Sequence, residues 1–117
     1  MPLSAILHLL LHIVVPGLLA RIAFRHYWLR AWIVLLATML VDIDHLLADP
    51  IYAPDRCSIG FHPLHTIGFI LVYVAITAVP ATRLIGTGLV LHMLLDFSDC
   101  VAQRGLADAL SQLLSMT

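Results

Sequence analysis

The chain contains no glutamate and no lysine: its seven acidic residues are all Asp and its six basic residues all Arg. Glu and Lys are the residues that ordinarily coat solvated helices. Their absence, with charged residues at only 11%, excludes an ordinary soluble surface. Strong charge of either sign is missing too. The net charge of −1 supplies no basic field to attract nucleic acid, and no nucleic-acid partner is expected. Cysteine is scarce, with Cys57 and Cys100 alone. What is abundant is apolar: 62% of the 117 residues are hydrophobic and the mean hydropathy is +1.02. That length allows one domain, and that composition points to a small integral membrane protein.

A helix needs roughly 20 residues to cross a bilayer. Uncharged or nearly uncharged apolar runs occupy residues 3–20, 31–48, 63–82 and 84–97, the second and fourth taking in Asp and His near their ends. The expected fold is all-α: an integral membrane four-helix bundle, with helices at about 3–24, 27–48, 63–82 and 84–99 in one transmembrane domain. Leu106, Leu110, Leu113 and Leu114 recur with amphipathic spacing. They predict a short C-terminal helix over about 104–115 lying on the membrane surface. Pro16-Gly17 predicts a kink in the first helix, and Gly86 and Gly88 predict close helix packing. No basic residue precedes the first run, which reads as a helix rather than a signal peptide. No internal repeat or linker is visible, and the one substantial loop is 49–62.

Arg21, Arg25, Arg30 and Arg83 flank the first and third turns, against Arg56 and Arg104 on the opposite side. The positive-inside rule places the Arg-rich turns in the cytoplasm. Both ends and the 49–62 loop then face outward, in a bacterium into the periplasm, and the expected location is the inner membrane with several passes.

On this arrangement the ionisable residues meet at one end. His8 and His12 lie in the outer half of the first helix, and Asp42, Asp44, His45 and Asp49 at the outer end of the second. His62 and His65 open the third, while His92, Asp96 and Asp99 end the fourth; His26 alone among the histidines falls on the other side. His8/His12 and His92/Asp96 are i,i+4 pairs and Asp42/His45 is an i,i+3 pair, so each pair shares a helix face. Asp44 falls about 200° from Asp42 at 100° per residue. It therefore needs a helix end or a supporting role behind the ligands.

Ionisable groups at membrane depth are costly and face the bundle interior or a wet cavity. Imidazoles and carboxylates from four helices are the donor set of a zinc-type site, and this set suffices for one or two divalent ions. Without a cation its ionised Asp lack partners, because only Arg56 and Arg104 lie on this side. A single His on an apolar helix is more often a hydrogen-bonded bundle residue than a ligand, and His8 alone reads that way. His12, Asp42, His45, His65, His92 and Asp96 as a set read as a metal site, with His8 and His62 as further candidates. Asp49, Asp55 and Asp108 read as solvated, and Asp99 as support behind the ligands. The methionines, Trp28, Trp32 and Tyr27 read as packing and interfacial anchors. Cys57 and Cys100 both fall on the outer side, either joined as a disulfide over the site or buried as free thiols.

The early His pair, the D-I-D-H run at 42–45, His-x-x-His-Thr at 62–66 and His-x-x-x-Asp at 92–96 resemble the small bacterial inner-membrane metal-dependent hydrolases called LexA-binding membrane hydrolases. That group is distantly similar to the zinc-dependent phospholipase C and single-strand nuclease superfamily. The stretch 46–65 resembles still more closely a family of uncharacterised four-helix bacterial membrane proteins, a likeness over nearly the whole chain. The resemblance implies a helical bundle with a zinc site acting on a phosphoester or similar bond, with His12, Asp42, His45, His65, His92 and Asp96 at motif positions. Two features depart from the hydrolase pattern: His62 and His65 have no Arg between them, and the N-terminal Trp ligand of the soluble phospholipases has no counterpart.

The expected activity is metal-dependent hydrolysis at the periplasmic membrane surface, on a phosphoester or lipid-like substrate entering laterally among the membrane lipids. Zinc-activated water serves as nucleophile, Asp44 or Asp96 takes its proton, and Arg56 holds a phosphate. Two other classes compete. A haem or redox carrier has no use for so many carboxylates. A metal transporter or metal-sensing module predicts polar residues continuing into the cytoplasmic half, where the helices are almost purely apolar. An oligomer is compatible with all three.

Overall fold

The computed structural model describes residues 3–50, 53 and 56–115, and Asp55 lies outside them. Every regular element among the described residues is a helix, with no strand. Helix α1 runs Leu3–Ala23 and a 3-10 turn at Arg25–Tyr27 leads into α2, Trp28–Ala37, which passes into a ten-residue 3-10 helix, Thr38–Leu47. After the loop come a 3-10 turn at Pro63–His65, α3 at Ile67–Ala78, a turn at Pro80–Thr82, α4 at Arg83–Arg104 and α5 at Leu106–Ser115. Two segments, α1 and Pro80–Arg104, are long and apolar enough to cross a membrane; Ile67–Ala78 is a shorter apolar helix.

Several boundaries differ from expectation, each for a local reason. The second helix changes type at Thr38. Its buried residues there are Thr38, Val41 and Asp44, the every-third-residue row of a helix with three residues per turn. α3 is shorter than 63–82 because His62 and Val79, each preceding a proline, are extended at ψ 143° and 122°, as a following proline demands. Thr66 is extended as well (ψ 161°), separating the Pro63–His65 turn from the helix proper. α4 runs past residue 99 to Arg104 and stops where Gly105 takes φ +87°, a conformation open mainly to glycine. α1 continues unbroken across Pro16. The Trp32 indole N–H, from α2, donates to the Ile13 carbonyl (2.9 Å), and Gly17 leaves room for the same indole.

Gly86 and Gly88 do pack closely, against elements of this chain. A Cβ at Gly86 would sit 2.6 Å from the Thr77 backbone nitrogen, and one at Gly88 would sit 2.6 Å from Thr38 Oγ1. These contacts bring α4 against both α3 and the 3-10 helix. Arg83 closes the other end of α3, its Nε donating to the Thr77 carbonyl (3.1 Å), a cation at helix-terminal carbonyls.

The distribution of polarity is inverted. α1 buries only His12, Pro16 and Ala20, on one i,i+4 stripe, while Leu3, Ile22, Leu40 and Leu47 are more than three-quarters exposed. His12, Asp44, His62, His65, His92 and Asp96 are all buried. Cys57 and Cys100 form a disulfide, settling the alternative left open by the sequence. Gln112 of α5 completes the clamp on the loop by donating to the Ile59 carbonyl (2.7 Å). Directly after those tethers Gly60 adopts φ +71°, and a Cβ there would strike the Gln112 carbonyl.

Candidate metal centre

Four segments contribute to the buried polar cluster. α1 supplies His8 and His12 from adjacent turns, and α4 supplies His92 and Asp96 from the face that also carries Cys100. The 3-10 helix supplies Asp42, Asp44 and His45. With three residues per turn, Asp42 and His45 eclipse while Asp44 rotates onto the buried row. The Pro63–His65 turn brings in His65, which is wholly buried.

Asp96 is the hub. Its Oδ1 lies 3.1 Å from His8 Nε2 and 3.0 Å from His12 Nε2; its Oδ2 lies 3.0 Å from His65 Nε2 and 3.2 Å from His92 Nε2. Asp42 Oδ1 approaches the same two imidazoles, 3.1 Å from His65 Nε2 and 3.0 Å from His92 Nε2. Yet His12 Nε2, His65 Nε2 and both Asp96 oxygens are buried without a hydrogen-bond partner, as is His92 Nδ1. Apart from His92 Nδ1, these atoms have hydrogen-bond spacing without hydrogen-bond direction, whereas His92 Nε2 does donate to Asp42 Oδ1 (3.0 Å). Lone pairs that meet head-on in this way repel one another unless a cation lies between them.

Among the described residues three sets of side chains bring one donor atom each to within 4.8 Å of one another and can hold a metal ion: Asp42/His65/His92/Asp96, His8/His12/Asp96, and Asp42/Asp44/His45/His65. A tetrahedral ion with ligands at about 2.0–2.1 Å spaces its donor atoms about 3.3–3.4 Å apart. The observed 3.0–3.2 Å contacts lie just inside that.

The remaining contacts orient the donors. His65 Nδ1 donates to Asp44 Oδ2 (2.9 Å), which leaves Nε2 as the lone-pair nitrogen facing Asp42 and Asp96. Asp44 also accepts the Leu64 backbone N–H (2.8 Å) and lies 3.1 Å from His45 Nδ1. His12 Nδ1 donates to the His8 carbonyl (2.9 Å), again freeing Nε2. Asp99 Oδ2 stands 3.6 Å from His8 Nδ1 and accepts from Gln103. Imidazoles backed by a carboxylate or carbonyl on the far nitrogen are the usual form of a metal-ligating His.

The sequence profile of a family of unknown function, DUF6122, matches residues 2–103. The chain belongs to the DUF6122 family. Comparison with curated proteins and with solved structures gives no match. The DUF6122 match takes in every cluster residue from His8 to Asp99 and stops short of α5.

Two expected site residues of this DUF6122 chain, His62 and Arg56, stand outside all three sets. His62 stacks on His45 with ring centroids 3.7 Å apart and belongs to none of the three sets. Burial, followed by the neighbouring His45, pushes its imidazole down to about 4. Arg56 lies over the Phe61 ring at 4.8 Å, in a cavity of about 340 Å³ lined also by Arg104 and Gln112 and by no cluster residue. Asp44 faces the back of His65 rather than the space among the Nε2 atoms. Asp49 is exposed. Sequence reasoning missed Ser58, whose hydroxyl meets His45 Nε2 (3.3 Å), and Tyr73, whose hydroxyl donates to the Leu64 carbonyl (2.9 Å) and steadies the His65 turn. No spacing signal marks either; Tyr73 lies inside an apolar run and Ser58 in an irregular loop.

Proposed function

We propose that this DUF6122 chain is an integral membrane, metal-dependent hydrolase of the bacterial inner membrane. In this reading a divalent cation is held by Asp42, His65, His92 and Asp96, and a phosphoester or lipid-like substrate is cleaved at the periplasmic face. The observation that carries it is the buried set of imidazole nitrogens and carboxylate oxygens that converge without hydrogen-bond direction. Mixed nitrogen and oxygen donors of this number suit zinc. The ion would supply Lewis acidity and make water acidic enough to deprotonate near neutral pH.

The chain's own groups divide the remaining work. Asp44 fixes the His65 tautomer, and the His8 carbonyl fixes that of His12. Asp96 is at the buried centre with a side chain 2% exposed, whereas Asp42 is 35% exposed. Asp42 is thus the ligand carboxylate that water and substrate reach. An apolar groove of about 530 Å³, lined by Ala37, Val41, Tyr73, Ile85 and Leu89 among others, begins one residue from Asp42. It suits an acyl chain whose polar head reaches the cluster. The inverted polarity of the surface supports the membrane assignment.

Elemental analysis of the purified full chain tests the metal: His92→Ala with Asp96→Ala should remove bound zinc, and retention of the full complement would overturn the site. Zinc-loaded protein is then assayed on a panel of phosphoester lipids. Turnover that is lost in Asp42→Asn is expected; no turnover on any member would overturn the hydrolase assignment and leave the metal site standing.

A further inference from the structure

The Asp96 carboxylate divides its two oxygens between two sets of imidazoles. Oδ2 faces His65 and His92, which Asp42 also approaches; Oδ1 faces His8 and His12, which no other carboxylate approaches as closely. Each set brings its donors within 4.8 Å of one another, and Asp96 is their one common member. Both Asp96 oxygens and His12 Nε2 lack hydrogen-bond partners, so the unsatisfied donors lie on both sides of the carboxylate. One cation bound through Oδ2 would satisfy His65 Nε2 beside the hydrogen-bonded His92 Nε2 and Asp42 Oδ1. It would leave His12 Nε2 and Oδ1 buried and opposed.

We infer that the centre is dinuclear, with Asp96 bridging a closed site (Asp42, His65, His92) and an open one (His8, His12). This deepens the metal-dependent reading above and rests on it. The two sites differ in kind. The closed site has four protein donors, enough to fill a tetrahedral shell. The open site has three, and its His8 side chain is 31% exposed, so it retains a position for an exogenous oxygen and exchanges ion with solvent more readily. Two ions sharing one carboxylate would supply Lewis acidity to both the attacking and the leaving oxygen of a phosphoester. Within the proposed hydrolase this favours a phosphoester over a carboxylic ester.

Metal titration of the full chain in detergent tests the inference without any activity assay. Wild-type protein should take up two equivalents of zinc, one tighter than the other. With Mn(II) in place of zinc, the electron paramagnetic resonance spectrum at two equivalents should show spin coupling through the shared carboxylate. His8→Ala, a substitution at a partly exposed side chain, should weaken the second equivalent at least tenfold and leave the first unchanged; His12→Gln should do the same. A wild-type stoichiometry of one, two uncoupled Mn(II) ions, or an unaltered second equivalent in His8→Ala would each overturn the dinuclear centre. A stoichiometry of one leaves the single-ion site intact, whereas zero rejects both, so the two failures are distinguishable.

Discussion

Asp44 backs the candidate metal centre from behind His65. It accepts from His65 Nδ1 and from the Leu64 backbone N–H while lying beside His45 Nδ1, so one buried carboxylate sets the ring orientation of a ligand and the path of the turn that carries it. Carboxylates in this position typically contribute 10- to 100-fold in metal affinity. Asp44→Asn keeps the shape and weakens acceptance from His65, and should lower zinc affinity by about 10- to 100-fold in a competition titration against a chelator. Unchanged affinity would show that His65 needs no orienting partner. His62 gives a different kind of signal. With the folded-state imidazole near 4 against an ordinary value of 6.5, the unfolded chain binds a proton that the folded chain refuses between those pH values. Stability is therefore fully present above about 6.5 and declines as pH falls towards 4. In metal-free protein, thermal unfolding at pH 7.5 and pH 5 should show a smaller drop for His62→Phe than for wild type. An equal drop would assign the acid sensitivity to other groups.

At the scale of the element, the 3-10 helix Thr38–Leu47 decides which polar residues face inward. A regular α-helix would leave Asp42 and Asp44 about 200° apart, whereas three residues per turn eclipse Asp42 with His45 and align Asp44 with Thr38 and Val41. The angular conflict at Asp44 was legible in the sequence; the length of the 3-10 segment was not, because Thr-Met-Leu-Val carries no breaker that distinguishes three from 3.6 residues per turn. The i,i+4 pairs on α1 and α4 were legible because regular α-helices carry them. The Gln112 clamp on the loop depends on a tertiary contact that no local pattern encodes. Gly88 tests the junction. It lies one turn before His92 on α4, against Thr38 at the start of the 3-10 helix. Gly88→Val should wedge the two apart and destabilise the fold by about 1–3 kcal/mol in denaturant unfolding, with zinc affinity falling in parallel because His92 and Asp42 approach across that contact. A variant as stable as wild type would mean that α4 can shift without disturbing the 3-10 helix.

At the scale of the whole molecule, the apolar exterior and polar interior fit a protein solvated by hydrocarbon. α1 has 21 residues and α4 has 22, each about 30 Å long at 1.5 Å per residue, the thickness of a bilayer core. α2 and α3 are shorter, but α2 with its 3-10 continuation reaches about 35 Å at roughly 1.5 and 2.0 Å per residue. α3 lies between two proline-led turns that extend its apolar run at both ends. α5 turns Ala109 inward and shows Leu106, Leu110 and Leu114 outward, the apolar stripe that an interfacial helix would present. With four crossings, as the sequence predicts, both ends would lie on one side, which the Arg-rich turns would put outside the cytoplasm. Alkaline phosphatase fused after Thr117 should then be active in a bacterial host, and green fluorescent protein at the same place should be dark; the reverse pattern is expected for fusions within the Arg25–Tyr27 turn. The chain should also stay with the membrane pellet after carbonate extraction. A cytoplasmic C-terminal fusion would reduce the crossings to an odd number or invert the bundle. Either result would move the His/Asp cluster away from the periplasmic face and take the proposed substrate with it.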